Sequence, residues 1–187
     1  MVVSAPLNFE LKKLNPKHEY LADRGFSTET VEHFGAGYCN RGIMKGRIAI
    51  PLKNSVGDLI GYAGRLADDS AIDSDHPKYM FPGKREHDGK RHEFHKSDIL
   101  YNSEFLNHEQ PCQDLIIVEG FTDVWWLWQN GFKNVAAVLG SSCSDKQAEH
   151  ISMHTHYNGG VWIMTDGDKA GKRCAVDILS RVGSCHH

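Results

Sequence analysis

The length, composition and charge of this chain set the first limits on what it can be. Its 187 residues are 40% hydrophobic and 10% aromatic, which is enough for a folded core and excludes a disordered chain. The formal net charge of −3 gives no bulk case for nucleic-acid binding, so any such binding requires local basic patches.

The first half of the chain predicts a small α+β region. Two short helices are indicated, one at residues 16–24 that Gly25 ends, and one at 27–34 that Ser27 caps and Gly35 ends. Two β-type runs follow at 46–54 and 57–66, and the polar turn between them predicts a hairpin. Residues 67–97 are polar and rich in turn formers, so we expect them to be mostly irregular.

After Pro111 the pattern changes to strands that alternate with helices. The predicted order is strand 114–120, helix 121–132, strand 133–140, helix 144–154, strand 159–168 and helix 169–182. Such alternation predicts right-handed βαβ crossovers and a parallel sheet, whose ligands lie beyond the carboxyl ends of the strands. We therefore predict an α/β chain with two parts, a small α+β subdomain at 1–110 and a Rossmann-like parallel-sheet subdomain at 111–187.

Cysteine usage and hydropathy indicate where the protein works. The five cysteines are scattered and none forms a CxxC pair, which argues against a disulfide framework or a zinc ribbon and favours a reducing compartment. No stretch reaches the roughly 18 apolar residues that a membrane span requires. We therefore expect a cytoplasmic protein with no membrane partner.

Acidic residues follow two of the predicted strands. Glu119 ends one strand, and Asp166 and Asp168 flank a glycine at the end of another. A phosphate-binding P-loop is a poor fit, because the run from Gly167 to Lys172 is one residue short and its carboxylates would repel phosphates. Carboxylates that converge at a sheet edge suit a hard divalent cation such as Mg²⁺, which serves phosphoryl transfer. The alternative is a plain turn at a strand end.

Three ordered blocks of this region resemble a known domain family. The blocks are "LIIVEGFTDVWWLWQNGF", "VAAVLGSS" and "VWIMTDGDKAG". They resemble the Toprim domain shared by DnaG-type primases, topoisomerases and some nucleases. Upstream, "YLADRGFSTETVEHFGAGYC", "GRIAIPLKNSVGDLIGYAGRL" and "PKYMFPG…FHKSDILYN" are similar to the primase core. The resemblance covers about residues 18–175 and implies a Toprim subdomain at 111–187 after a primase-core subdomain at 1–110.

The resemblance assigns roles to the acidic residues. Glu119 would be a metal ligand or the general acid/base, and Asp166 and Asp168 would be metal ligands. Asp123 matches the second acid of the family, although a cap on the following helix is an equal alternative. The implied cofactor is Mg²⁺ or Mn²⁺, and the implied activity is that of a nucleotidyltransferase that makes short RNA primers on single-stranded DNA from ribonucleoside triphosphates.

Basic residues supply the candidate contacts to nucleic acid and nucleotides. Arg65, Lys78 and Lys96 match primase positions that contact template or nucleotide. Arg47 belongs to a basic run between 41 and 65, and Lys169 follows the acidic turn, where solvent exposure is its alternative role. Between residues 78 and 96, six basic residues stand against three acids, and Tyr79, Phe81 and Phe94 interleave with them as in single-strand grooves.

The resemblance also leaves alternatives open. DnaG-type primases carry a zinc-binding module, a helicase-binding domain and a further Toprim strand with an acidic motif, and we expect this chain to lack them. Contact with a replicative helicase would then need the missing domain. A Toprim nuclease with the same carboxylates, and a nucleic-acid-binding module without catalysis, are the competing functions.

Overall fold

The computed structural model describes residues 2–87, 89–106 and 110–185. Contacts divide the chain into two compact units. Unit 1 comprises the described residues of Met1–Leu52 and Asp58–Phe94, and unit 2 those of Lys53–Gly57 and His95–His187. The predicted boundary at residue 110 separates two subdomains, which is a different division from these two contact-based units, and it stays a prediction.

Unit 1 is built on two small sheets. Its strands are β1 (Val2–Val3), β2 (Gly37–Cys39), β3 (Arg47–Lys53), β4 (Leu59–Leu66), β5 (Tyr79–Met80), β6 (Arg85–His87) and β7 (Lys90–Glu93), and its helices are α1 (Glu19–Asp23) and α2 (Thr28–His33). One sheet has the order β2-β3-β4-β5 and the other β1-β7-β6. The two predicted helices form, because the Ser27 hydroxyl accepts the N–H of Thr30 at 3.1 Å and the terminal glycines, Gly25 and Gly35, adopt positive φ.

The segment from 67 to 97 is partly ordered by short strands. It contains β5 and the antiparallel pair of β6 and β7, and β7 also pairs in parallel with β1. These strands are only two to four residues long, and β6 and β7 consist of charged residues and histidines, so no alternation of apolar residues marks them. The segment is mostly irregular, as expected, but these short strands were not predicted, because pairing with other chain segments defines them.

Unit 2 has the predicted alternation of strands and helices. The elements are β8 (Cys112–Val118), α3 (Phe121–Gln129), β9 (Val135–Ala137), α4 (Asp145–His154), β10 (Thr155–Ile163) and α5 (Lys169–Cys185). The sheet order is β10-β8-β9, and both pairings are parallel. Leu115 and Ile117 of β8 share a buried core with Ile151 of α4 and Ile178 of α5. The predicted α/β class with a parallel sheet is confirmed.

Two sequence features can be compared with the described residues. Cys39, Cys112, Cys143 and Cys174 are free, buried thiols. In the described ranges, no helix combines the length and the hydropathy that a transmembrane span needs.

Candidate functional site

The acidic residues lie at the carboxyl edge of the parallel sheet, as predicted. Glu119 directly follows β8, and Asp166 lies three residues beyond the end of the adjacent strand β10. The N–H of Met164 still donates to the carbonyl oxygen of Ile117 at 2.8 Å, which keeps the two segments side by side past the end of β10. We call Glu119, Asp123, Asp166 and Asp168 the acidic edge.

One hydrogen bond joins the two acidic segments directly. The N–H of Asp166 donates to Oε1 of Glu119 at 2.8 Å, across 47 residues of sequence. Glu119 is half-buried, whereas the side chains of Asp166 and Asp168 are exposed. Burial raises the pKa of Glu119, and the charges of Asp166, Asp168 and Asp123 raise it further against the lowering effect of the Asp166 N–H bond. The four carboxylates therefore form one electrostatic group.

Asp168 caps the start of α5. Its Oδ1 accepts the N–H of Gly171 at 2.7 Å, and its carbonyl oxygen accepts the N–H of Lys172 at 3.1 Å. A carboxylate at this place also interacts favourably with the positive end of the helix dipole. The start of the long helix α5 thus fixes the orientation of one acid of the group.

Gly171 lets α5 approach the acidic turn closely. A Cβ atom on Gly171 would lie 2.0 Å from the carbonyl oxygen of Asp166 and 2.7 Å from Oε1 of Glu119. Because real Cβ atoms essentially never come within 3.0 Å of another heavy atom, no larger residue fits without displacement. The sequence contains this glycine in "DKAGK", but its packing role becomes visible only when β8, β10 and α5 are assembled.

Asp123 acts as a helix cap in this structure. Its Oδ2 accepts the N–H of Gly120 at 2.9 Å, at the start of α3. Glycine has no side chain to complete a reciprocal capping box, so only this half of the motif forms. The capping alternative from the sequence is therefore observed, and a role as the second acid of the site stays a prediction.

The donor set of the acidic edge suits a hard divalent cation in kind, since it consists of carboxylate oxygens only. One carboxylate oxygen of Glu119 and one of Asp168 accept a backbone N–H, and the other oxygen of each carboxylate takes no part in that bond. Within the part of the chain that the structure describes, no group of three or more His, Cys, Asp or Glu is arranged to hold a metal ion. A cation bound by Glu119, Asp166 and Asp168 together would therefore require these side chains to draw closer.

Two of the predicted cations belong to the same unit as the acidic edge. Lys169 is exposed at the start of α5. Lys96 is half-buried, and burial lowers its pKa. Its Nζ lies 3.0 Å from the position that a Cβ on Gly140 would occupy, in the loop that follows β9. Since β9 is a parallel neighbour of β8, this ammonium group is held at a loop on the carboxyl side of the same sheet.

The other three predicted cations belong to unit 1, where two of them are buried. Arg47 is 6% exposed, and its Nη1 donates to the carbonyl oxygens of Gly64 and Pro77 at 3.2 and 2.9 Å. Burial lowers the pKa of Arg47, and the charge of Arg65 lowers it further. Lys78 is exposed.

Arg65 is held on several sides within unit 1. It is 3% exposed, its Nη1 donates to the carbonyl oxygen of Leu66 at 2.6 Å, and its Nη2 pairs with Asp69. Its guanidinium also lies 5.5 Å from the ring centroids of Tyr20 and Tyr79. In this structure, Arg47 and Arg65 therefore support the sheet of unit 1, and their contact with nucleic acid stays a prediction.

Sequence reasoning missed a carboxylate that holds the loop after β9. Oδ2 of Asp177 in α5 accepts the N–H of Cys143 at 2.7 Å, and Oδ1 accepts Nε of Arg181 at 3.0 Å. These bonds lower the pKa of Asp177, the Cys143 N–H having the largest effect. The same loop contains Leu139 at φ +60°, a conformation that L-residues rarely adopt. The only sequence signal was the i,i+4 spacing of an acid and an arginine on a helix.

Comparison with known proteins gives this site its context. The Toprim domain family matches residues 113–185. A DNA primase of Pseudomonas putida is 32% identical over 164 residues, which are 87% of this chain and 22% of the relative. The chain spans 22% of the length of this primase and 25% of the length of a DNA primase of Staphylococcus aureus.

Two solved structures share the fold. The Aquifex aeolicus primase, with its zinc-binding and RNA polymerase domains, superposes with a TM-score of 0.70 at 24% identity, over 90% of this chain and 47% of that chain. A DnaG primase catalytic domain bound to single-stranded DNA has a TM-score of 0.68 at 23% identity, over 89% of this chain and 58% of that one. Residues 113–185 are therefore similar to the Toprim domain family, and 87% of the chain is similar to a DNA primase.

Proposed function

We propose that this chain is the catalytic part of a DNA primase-type nucleotidyltransferase, which makes short RNA primers on single-stranded DNA. The observation that carries the proposal is the bond from the Asp166 N–H to Oε1 of Glu119 at the carboxyl edge of a parallel Toprim sheet. That bond brings two acidic segments together at the place where α/β sheets bind their ligands.

The reaction joins ribonucleotides by phosphoryl transfer. A hydroxyl oxygen attacks the α-phosphorus of a ribonucleoside triphosphate, the bond to the β-phosphate breaks, and pyrophosphate leaves. Glu119, Asp166 and Asp168 would hold a divalent cation, Mg²⁺ or Mn²⁺, which when bound neutralises charge on the phosphates. Alternatively, Glu119 would act as the general base that accepts the proton of the attacking hydroxyl.

The remaining roles follow from where the cations lie. Lys96 and Lys169 of unit 2 would contact the phosphates of the nucleotide, and the exposed Lys78 of unit 1 would contact the template strand. The DnaG domain whose fold this chain shares is bound to single-stranded DNA, which supports that choice of template. A replicative helicase as partner and a cytoplasmic location stay predictions.

One observation favours the binding module as a second candidate. The described residues contain no group of three metal-binding side chains that is ready to hold an ion. A chain of this kind would bind single-stranded nucleic acid without joining nucleotides.

Primer synthesis by charge-neutral variants separates the candidates. The protein is incubated with labelled ribonucleotides, single-stranded DNA and Mg²⁺ or Mn²⁺, beside Glu119→Gln and Asp168→Asn. Both substitutions keep an oxygen that can accept the backbone N–H, so a loss reports the negative charge rather than the fold. Glu149→Gln, at an exposed position of α4, is the matched control.

We expect oligoribonucleotide product from the wild type and the control, and a decrease of about 100-fold or more in both site variants. Degradation of the template that depends on the same two carboxylates would instead indicate a nuclease. The absence of both product and template degradation in the wild type, together with binding that survives both substitutions, would indicate the binding module.

A further inference from the structure

Unit 1 contains a cavity of about 460 Å³ that the proposed chemistry does not use. All of its lining residues belong to unit 1. Apolar side chains dominate the lining, and Phe9, Met80, Phe81 and Phe94 are among them. The volume falls within the range of about 300 to 1,000 Å³ that is typical of small-ligand pockets. We call this cavity the aromatic pocket.

Two phenyl rings in the lining of the aromatic pocket stack parallel to each other. The rings of Phe81 and Phe94 are nearly parallel, with an interplanar angle of 10° and centroids 6.2 Å apart. A third ring, that of Phe9, is 52% exposed although it lines the same cavity. Parallel aromatic faces favour a planar aromatic ligand, because offset stacking aligns the quadrupoles and buries both faces.

The charges beside the aromatic pocket favour an anionic ligand. Oε1 of Glu93 pairs with Nζ of Lys84 at 3.5 Å and with Nε of Arg91 at 2.8 Å. The side chains of Lys84 and Arg91 are 66% and 60% exposed, whereas that of Glu93 is 11% exposed. Two exposed cations thus stand against one mostly covered carboxylate. A ligand with a planar aromatic ring and phosphate groups would stack on the phenyl rings and pair with these two cations.

We propose that the aromatic pocket binds an unpaired base of single-stranded DNA, whose neighbouring phosphates contact Lys84 and Arg91. The base stacks on Phe81 and Phe94, a mode that tolerates any sequence because every base has a π-face. The choice of DNA rests on the proposed function, in which a single strand is the template. Two of the segments that line the pocket, 80–84 and 92–94, are brought together by the short hairpin of β6 and β7.

Equilibrium binding of a fluorescently labelled oligothymidylate tests this proposal without catalysis. Fluorescence anisotropy is measured without divalent metal or ribonucleotides at several salt concentrations. Phe81→Leu keeps an apolar side chain but removes the ring, and we expect it to weaken binding by about 5- to 50-fold. Phe81→Tyr keeps the ring and should bind like the wild type. Phe132→Leu, at an exposed phenyl group of unit 2, is the matched control and should change nothing.

The salt dependence separates stacking from charge. Lys84→Gln should lower the slope of log Kd against log salt by about one, whereas Phe81→Leu should leave the slope unchanged. Thermal unfolding of each variant shows whether it is folded, and a folded Phe81→Tyr keeps the test decisive if Phe81→Leu is unstable. In that case, we expect wild-type affinity from Phe81→Tyr and weakened binding from Phe94→Leu.

Three results would overturn the proposal. These are wild-type affinity in folded Phe81→Leu and Phe94→Leu, the absence of binding by the wild type, and displacement of the oligonucleotide by free ribonucleoside triphosphate in a manner that depends on Phe81. The outcome is separable from that of the proposed function. Ring-dependent binding without primer synthesis would leave the pocket standing, and primer synthesis with normal binding by Phe81→Leu would remove only the pocket.

Discussion

A methyl group at Gly171 is the sharpest test of how the acidic edge is assembled. In Gly171→Ala, the new Cβ would lie 2.0 Å from the carbonyl oxygen of Asp166 and 2.7 Å from Oε1 of Glu119. To reach the 3.0 Å limit of real contacts, the Asp166 backbone must move by about 1 Å relative to α5. That movement would disturb the bond from the Asp166 N–H to Oε1 of Glu119, which joins the two acidic segments.

The expected effects on stability and activity differ in size. Overpacking costs about 1–3 kcal/mol, while replacing glycine by alanine inside a helix gains about 0.8–1.0 kcal/mol, so we expect a net loss of about 0–2 kcal/mol in the free energy of unfolding. A displacement of about 1 Å in a catalytic group lowers the rate of reaction by about 100-fold. Gly171→Ala should therefore stay folded and lose nearly all primer synthesis.

Urea unfolding and primer synthesis are measured on the same preparations. Gly183→Ala is the matched control, because it lies on the same helix and its Cβ would meet nothing within 4 Å. The control should gain up to about 1 kcal/mol and keep full activity. If Gly171→Ala instead behaves like Gly183→Ala in both assays, α5 does not pack against the acidic turn as described, and the reasoning fails.

Three further predictions concern the support of the site. Asp123→Ala should lower the free energy of unfolding by about 0.5–2 kcal/mol through loss of the Gly120 cap, and a folded Asp123→Asn that loses primer synthesis would show that Asp123 is more than a cap. Gln147→Ala should cost about 1–3 kcal/mol in urea unfolding, because Nε2 of Gln147 donates to two carbonyl oxygens at 2.8 Å, and a cost below about 0.5 kcal/mol would contradict this. Burial raises the pKa of Cys143 and of Cys174 to about 11. Alkylation of these thiols, followed by peptide mass spectrometry, should therefore accelerate about tenfold per pH unit from pH 8 to pH 10. A rate that levels off near pH 9 would contradict this prediction. Since these pKa values lie above those of unfolded thiols, their contribution to stability is complete below the unfolded pKa and is lost as pH rises through about 11.

The sequence was informative where local pattern and topology coincide. Alternating strands and helices after Pro111 specify a parallel sheet, and a parallel sheet gathers its carboxyl ends, so Glu119 and Asp166 could be placed together without coordinates. The hairpin of β6 and β7 could not be foreseen, because its stability depends on pairing with β1 from the other end of unit 1. The burial of Arg47 and Arg65 could not be predicted either, because charged side chains are usually exposed. Only the fold shows the carbonyl oxygens and aromatic rings that surround these two arginines.

The acidic edge combines a charge cost with backbone support. Each of Glu119, Asp123 and Asp168 accepts one backbone N–H, from Asp166, Gly120 and Gly171 respectively. Burial raises the pKa of Glu119, the neighbouring carboxylates raise it further, and the bond from the Asp166 N–H offsets part of this rise. Each of the three bonds also restricts the rotation of the side chain that accepts it.

A turn whose only task were to end a strand would not require three further carboxylates around Glu119, because the remaining repulsion lowers stability. A cationic ligand would relieve the repulsion between these like charges at the sheet edge. Oε1 of Glu119 and Oδ1 of Asp168 are bound to the backbone, so the second oxygen of each carboxylate would contact the cation. The same backbone bonds that stabilise the start of α5 therefore also orient the groups that we propose for catalysis, which is why a single added methyl at Gly171 is expected to affect activity far more than stability.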